Sequence, residues 1–374
     1  MPTAETDFIM APPKTAISFG LEPAHNLLHS MSLISKWAYK PEGNAWAQEV
    51  AQSLPKEMFH RHRVVVEGLY YALDPLRSWP SFEAYIDHLA TVNPCVLRDR
   101  LFHHYLNLGW HKDPESKEMK PLEKIALADF DISPLLANRD AYLAFLLERF
   151  PEANVDAVIE TEAHALINDL PRMQNLIVTH IRYMWEEVLK AEWTRLAPML
   201  QDCIDAFEQL DLHKLPVLEA TRQVLGHDVD DYCAVDIEAA EQVVFVPAVH
   251  TTSFVSRFMS GNTAWLLFNP RVPQGVRSPS LDLSRSDLLT RLQAVADDTR
   301  LRILQLVNEH GELCSQDLIR MLGLSQSVAS RHLQQLSATG YLIERRRESA
   351  KCYSLGNERI NDTLDALSHF LKTS

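Results

Sequence analysis

The chain has little of what usually announces chemistry. Its five cysteines, Cys95, Cys203, Cys233, Cys314 and Cys352, are odd in number, widely spaced and free of any CxxC pair. That argues against a disulfide framework and a thiolate zinc site, and leaves most of them as buried thiols. No window approaches the roughly 18 uninterrupted apolar residues of a membrane span. The opening MPTAETDFIMAPPKTAISFG lacks a basic segment followed by an apolar core, so a cytoplasmic protein without membrane attachment is expected. No phosphate-cradling glycine loop and no nucleophile elbow occur, which leaves an enzyme little to stand on. The 16 histidines are suggestive only at first sight: His25 and His29 stand four apart in HNLLH, without the glutamate of a zinc-protease motif or a nearby third ligand. His103, His104, His111 and His227 read as surface or satisfied histidines, and no metal or cofactor is expected.

What is present is ordinary globular material. With 374 residues, 46% hydrophobic and 23% charged, the chain can fill two or three domains. The formal net charge of −14 opposes a polyanionic partner only in sum. From Arg285 onward there are 12 basic and 11 acidic residues, against 24 and 39 before it. The acidity belongs to the N-terminal part, and a near-neutral tail with clustered bases can meet DNA while the body stays away.

Ala16–Leu21 suits a short strand handing over to a helix at Pro23. Helical periodicity follows through Leu27, Leu28, Met31 and Ile34 and again through Val64, Val65, Leu69 and Tyr70. Ser81 and Asn93-Pro94 mark helix starts, and Asp113–Pro121 reads as a polar surface loop. Ser133-Pro134 opens a segment reaching Phe150; Pro171 opens a long one that Pro198 is expected to kink or end. After Gly226 the texture changes. Val243–Pro247 and Ala264–Pro270 are strand-like, with Gly261-Asn262 as the turn signal between them and the strand near Phe19 as natural partner. The fold class expected is mainly α: a large helical N-terminal domain with a small β-sheet over 1–270, a linker over 271–284, and a C-terminal winged helix-turn-helix domain over 285–374.

The motif behind that last assignment is SQDLIRMLGLSQSVASRHLQQLSATGYLIERRRESAKCYSL, Ser315 to Leu355. Ser315 suits an N-cap, Gly323 a left-handed helix end, and Ser325 the next N-cap. On the second helix Val328, Leu333 and Leu336 face one way, while Gln326, Ser327, Ser330, Arg331 and Gln334 face the other with groups that pair with base edges and phosphates. A polar helix face is also what a merely solvated helix shows. Arg345, Arg346, Arg347 and Lys351 flank a hairpin tip, where bases suit phosphate contacts beside a groove, although Glu348 tempers them.

Residues 287–371 resemble the ArsR-type (ArsR/SmtB) winged-helix repressors. VADDTRLRILQLV is similar to that family's second helix, GELCSQDL to the start of its third, and SQSVASRHLQQLSATGYLIERR to its recognition helix and first wing strand. The resemblance implies double-stranded operator DNA as partner, with Gln326, Ser327, Ser330, Arg331 and His332 at the DNA, His332 having the alternative of packing against the scaffold. It also implies a homodimer. Independently, Leu288 and Leu292, with Leu289 and Val295, stripe one helix and Ile360, Leu364, Leu367 and Leu371 another. Such stripes suit either dimerisation or packing against the N-terminal domain.

The family's metal sensors carry a CxC where this chain has Cys314 and Gln316, and the other family site requires a histidine spacing that Asp362, Asp365 and His369 do not match. Metal sensing of either kind is disfavoured. Cys314 and Cys352 leave a redox switch open beside a plain apolar role. More weakly, the N-terminal domain resembles the long helical region ahead of the winged helix in some bacterial ArsR-type regulators. Trp37, Trp46, Tyr70, Tyr71, Trp79 and Trp185 suit either an ordinary core or a pocket for a small-molecule effector. The alternative to a DNA-binding regulator is a protein-interaction or enzymatic N-terminal domain with the winged helix as assembly module.

Overall fold

The structure, a computed structural model, describes residues 15–36, 45–108, 110–112, 119–121, 124–151, 154–226, 228–251, 256–270, 285–347 and 350–372. The linker 271–284, Trp37 and His227 lie outside these residues, as do the side chain of His111 and the middle of the polar stretch 113–118.

Strand β1 (Ala16–Phe19) leads into α1 (Pro23–Lys36), with the helix starting at its proline as expected. The first helices are α2 (Ala45–Ser53), α3 (Lys56–Arg63), α4 (Phe82–Thr91) and α5 (Pro94–Asn107). Ser81 caps α4 by accepting from Ala84 N, and Asn93 caps α5 with Pro94 in its first turn. The polar stretch is not wholly loop: its last residues form β3 (Met119–Pro121), which pairs with β2 (Trp110–Lys112) just ahead of the stretch. The segment from Ser133 is broken into α6 (Ser133–Ala137) and α7 (Arg139–Arg149), because Asn138 turns extended and caps the second. Then come α8 (Ala157–Ile167), α9 (Leu170–Met184) and α10 (Lys190–Glu208). Pro198 lies inside α10 and does not end it. The irregularity sits upstream, where Trp185–Leu189 forms a π-turn like that of Val64–Gly68 after α3. One continuous core, including Met31, Val65, Tyr85, Phe102 and Ile181, unites these helices. Trp46, Trp79 and Trp185 belong to it.

Helices α11 (Val217–Leu225) and α12 (Asp231–Ala239) precede β4 (Gln242–Pro247), β5 (Ser256–Ser260) and β6 (Thr263–Phe268). The sheet order is β1-β4-β6-β5. The expected partnership of the first strand holds: β1 runs parallel to β4, with Phe19 opposite Phe245. The expected hairpin does not. β4 and β6 are parallel, and the Gly261-Asn262 turn joins β6 to β5, a strand the sequence pattern had hidden. Gly261 takes φ +54° there, a conformation that suits glycine. One sheet face packs on Phe207 and Val224, the other on Tyr70.

The C-terminal part comprises α13 (Arg285–Val295), α14 (Asp298–His310), β7 (Leu313–Cys314), α15 (Ser315–Leu322), α16 (Gln326–Ala338), β8 (Leu342–Arg347), β9 (Ala350–Leu355) and α17 (Asn357–Lys372). The three strands form a sheet ordered β7-β9-β8 beside the helices. This is a winged helix-turn-helix with its own core of Ile303, Val307, Leu318, Leu333, Leu336 and Leu342. The whole is a large helical N-terminal domain with a small sheet, followed by that winged helix.

Candidate nucleic-acid interface

The turn between α15 and α16 is made by Gly323, whose φ of +64° ends α15, and by Ser325, whose hydroxyl accepts from Val328 N at 3.4 Å. Ser315, by contrast, is not a cap. It is the first residue of α15, and the capping position falls on Cys314, which makes no side-chain cap bond.

Helix α16 then divides its residues by face. Ala329, Leu333 and Leu336 are buried, and Gln326, Ser327, Ser330 and Arg331 are exposed, with Gln334 half-buried at the edge. His332 does not share the exposed face. It is 7% exposed, with Nδ1 3.9 Å from the Asp297 carboxylate, and desolvation holds its pKa below the ordinary histidine value. The reason is geometric: at about 100° per residue, 332 lies roughly 40° from the core position 336 and roughly 60° from 329, on the edge of the core side. Asp297 itself caps α14 by accepting from Arg300 N at 2.9 Å, and that bond lowers its pKa. Arg300 Nη1 donates to Gln335 Oε1 at 2.8 Å, tying α16 to α14. Neither Arg300 nor Gln335 stands out in the sequence, because the tie depends on two helices crossing.

In the wing, Arg345 and Lys351 are exposed at their ends but not idle. Arg345 pairs with Glu312, while Lys351 Nζ lies 2.6 Å from Glu344 Oε1. Glu344 is buried and accepts from the Tyr353 hydroxyl at 3.2 Å, and desolvation followed by that carboxylate pushes the phenol pKa up. Arg347 is exposed. Arg346 sits in β8 opposite Lys351, its side chain outside the described residues, as are Glu348 and Ser349. Among the described residues, the wing thus holds two of its cations on internal carboxylates and exposes a third, Arg347.

Cys314 and Cys352 form a disulfide across β7 and β9, where they are register partners. The expectation of unpaired thiols is corrected at this pair. Sequence spacing gave no hint of it, since 38 residues separate them and only the strand register brings them together. Cys203 and Cys233 are buried thiols, and burial raises the Cys233 pKa.

The apolar stripes split. Leu288 is 3% exposed, and its helix α13 packs against both α17 and α2 of the N-terminal domain. Leu292 is half-buried, and Ile360 packs on the winged-helix core. Leu367 is half-buried, whereas Leu364 and Leu371 are 58% and 67% exposed, with Phe370 and Leu289 also open.

The pattern described as "Bacterial regulatory protein, arsR family" matches residues 297–344, from the cap of α14 to the middle of β8. The chain is similar to the arsenic resistance transcriptional regulator ArsR1 of Pseudomonas putida, 44% identical over 66 residues. Those residues are 18% of this chain and 52% of that relative, so the match spans about half of it. The arsenic resistance transcriptional regulator ArsR2 of the same organism is 36% identical over 86 residues, 21% of this chain and 75% of the relative. The arsenical resistance operon repressor of Escherichia coli is 47% identical over 53 residues, 14% of this chain and 45% of the relative. All of this likeness falls on less than a quarter of the chain, and no helix of the described residues is long and apolar enough to cross a membrane. On its winged helix, the chain belongs to the arsR family of bacterial regulatory proteins and carries a long helical N-terminal domain ahead of it.

Proposed function

We propose that this protein is a sequence-specific DNA-binding transcriptional repressor acting as a homodimer, with the N-terminal domain as the part that receives a small-molecule signal. The carrying observation is the division of α16: its apolar side builds the core while Gln326, Ser327, Ser330 and Arg331 stand together in solvent. A helix held from one side with amides, hydroxyls and a guanidinium on the other is what a major groove accepts. Arg347 would meet the phosphates directly, and Arg345 and Lys351 would exchange their carboxylate partners for phosphates. Arg346 is proposed as a further phosphate contact from its place in β8. His332 supports the helix from behind.

The dimer is supported by the open side chains of Leu364, Phe370 and Leu371 on α17 and Leu289 on α13. Leu367 would join them at the edge. Leu292, half-buried, would join them too, whereas Leu288 and Ile360 are taken up by packing within one chain. A two-fold pair of winged helices would read half-sites about 34 Å apart.

The test is fluorescence anisotropy with double-stranded DNA from the protein's own promoter region against random DNA. Specific binding is expected, with log K falling linearly against log salt. Arg331→Ala should weaken it by about 10- to 100-fold, and Arg347→Ala should weaken all sequences alike while making the salt slope shallower. Equal binding of both DNAs, untouched by either substitution, would rule the reading out. Leu364→Glu with Leu371→Glu should give a monomer in sedimentation.

A further inference from the structure

Between the helical body and the sheet lies a cavity of about 150 Å³. Its helical side is built by Leu28 of α1, Tyr70 and Tyr71 of the short turn Tyr70–Leu73, and Leu108 at the end of α5; its sheet side is Phe258 and Met259 of β5. A cavity of this size and apolar lining is one that accepts a single benzene ring. The walls are aromatic in a way that favours a flat guest. Tyr71 stacks on His104 with centroids 5.0 Å apart and meets Tyr70 edge-on at 5.6 Å, so the rings are fixed before anything enters.

The polar groups at the rim decide the charge of that guest. Asp74 is paired with His104 at 2.8 Å, and Arg257 with Asp236 at 3.0 Å. Each of these groups already has a polar partner, so an ionic ligand would have to separate a pair and leave one member against an apolar wall. A neutral ligand meets no such cost. Neither tyrosine hydroxyl hydrogen-bonds to another described residue. Burial keeps both phenols un-ionised, Tyr71 with its pKa pushed up to about 12. They can therefore donate to, or accept from, one hydroxyl group on a guest.

We propose that this cavity binds a neutral single-ring aromatic alcohol, of the phenol class, with the ring between Tyr70, Tyr71 and Phe258 and the hydroxyl toward the tyrosine and Asp74 side. The site is placed to be felt at the winged helix. Phe258 lies opposite Trp265 in the β5–β6 pair. Just beyond β6, the carbonyl of Pro270 accepts from Arg359 of α17 at 2.8 Å. A guest pressing on β5 is thus one strand from a contact with α17 of the winged-helix part. This regulatory half rests on the DNA-binding reading; the binding half does not.

The experiment is calorimetric titration of the full chain with phenol, benzoate and benzylamine, followed by the promoter anisotropy measurement with and without phenol. Saturable phenol binding is expected, with the two ions at least tenfold weaker. Leu108→Trp, which fills the cavity, should weaken phenol at least tenfold with the circular dichroism spectrum unchanged. Should that variant not fold, Tyr71→Phe keeps the ring, removes a hydroxyl and should weaken phenol several-fold. The proposal is overturned by absence of saturable phenol binding to the folded protein, by benzoate or benzylamine binding as well as phenol, or by phenol affinity indifferent to a folded cavity variant. If promoter DNA fails to bind at all, the repressor reading falls while the phenol titration still decides the cavity. If DNA binds and phenol binds without altering DNA affinity, the regulatory half is overturned.

Discussion

Glu160 carries a carboxyl group into a part of the helical body where water hardly reaches. It is 8% exposed, and its Oε2 accepts from the Tyr142 hydroxyl at 3.0 Å. Burial pushes its pKa up to about 8, opposed by that hydrogen bond and assisted by Glu67 and Asp156 nearby. Here the folded state favours the protonated acid, so its contribution is intact below the ordinary pKa near 4.5 and is lost as pH climbs through 8. Glu160→Gln keeps an acceptor for Tyr142 and removes the charge. Its stability should match that of the natural protein near pH 4.5 and exceed it increasingly toward pH 8, by roughly 4 kcal/mol there. Thermal unfolding at several pH values checks this, and a difference independent of pH would refute it. His332 obeys the same physics with the opposite sign of charge. Its burial beside the core of α16 disfavours the imidazolium.

At the scale of elements, the wing is held by more than its strand ladder. The Cys314–Cys352 bond closes a loop of sequence separation 38 that contains α15 and α16. Loop-closure entropy for such a span gives about 4 kcal/mol of stabilisation. Urea unfolding with and without reductant should differ by that order, and Cys352→Ser should show no such difference; equal curves for the natural protein under both conditions would mean that the pair contributes nothing. This bond marks the limit of what the sequence makes legible. Local signals worked: Gly323 and Ser325 delimit the turn, Ser81 and Asn93 cap their helices, and the strand near Phe19 finds β4. Each rests on residues adjacent in the chain or on a long apolar run. Signals that depend on register or crossing failed. The sequence Ser256–Ser260 has no clean alternation, so β5 was invisible and its turn was given to the wrong strand pair. Pro198 stays within α10, as its missing N–H need cost only one bond in a helix packed on its flanks. Of the residues proposed to meet DNA, the exposed face of α16 is legible from helical period alone, whereas the carboxylates holding Arg345 and Lys351 need the sheet to be seen.

Across the whole molecule, the question is how an acidic helical body and a winged helix behave as one object. Among the contacts that join them are α13 against α2, and Arg359 against Asn269 and Pro270. Arg359 is the more demanding. It is 6% exposed, desolvation lowers its pKa, and Nη2 donates to Pro270 O at 2.8 Å and Asn269 Oδ1 at 3.3 Å. It also lies against Gly340, where a Cβ would come within 2.9 Å of Nε, so the turn that ends α16 is shaped around it. Arg359→Met retains length and apolar volume but leaves the Pro270 carbonyl without its donor, a loss of about 3 kcal/mol. Lysine would be a poorer test, because it would keep a buried charge with fewer donors. With the arginine, scanning calorimetry should give one cooperative transition. With methionine, the winged helix should melt first and separately. Because the contact is buried, this coupling should persist in 0.5 M salt, where exposed contacts to phosphate are screened within about 5 Å. A methionine variant that melts in a single transition at the natural temperature would show that Arg359 does not couple the two parts.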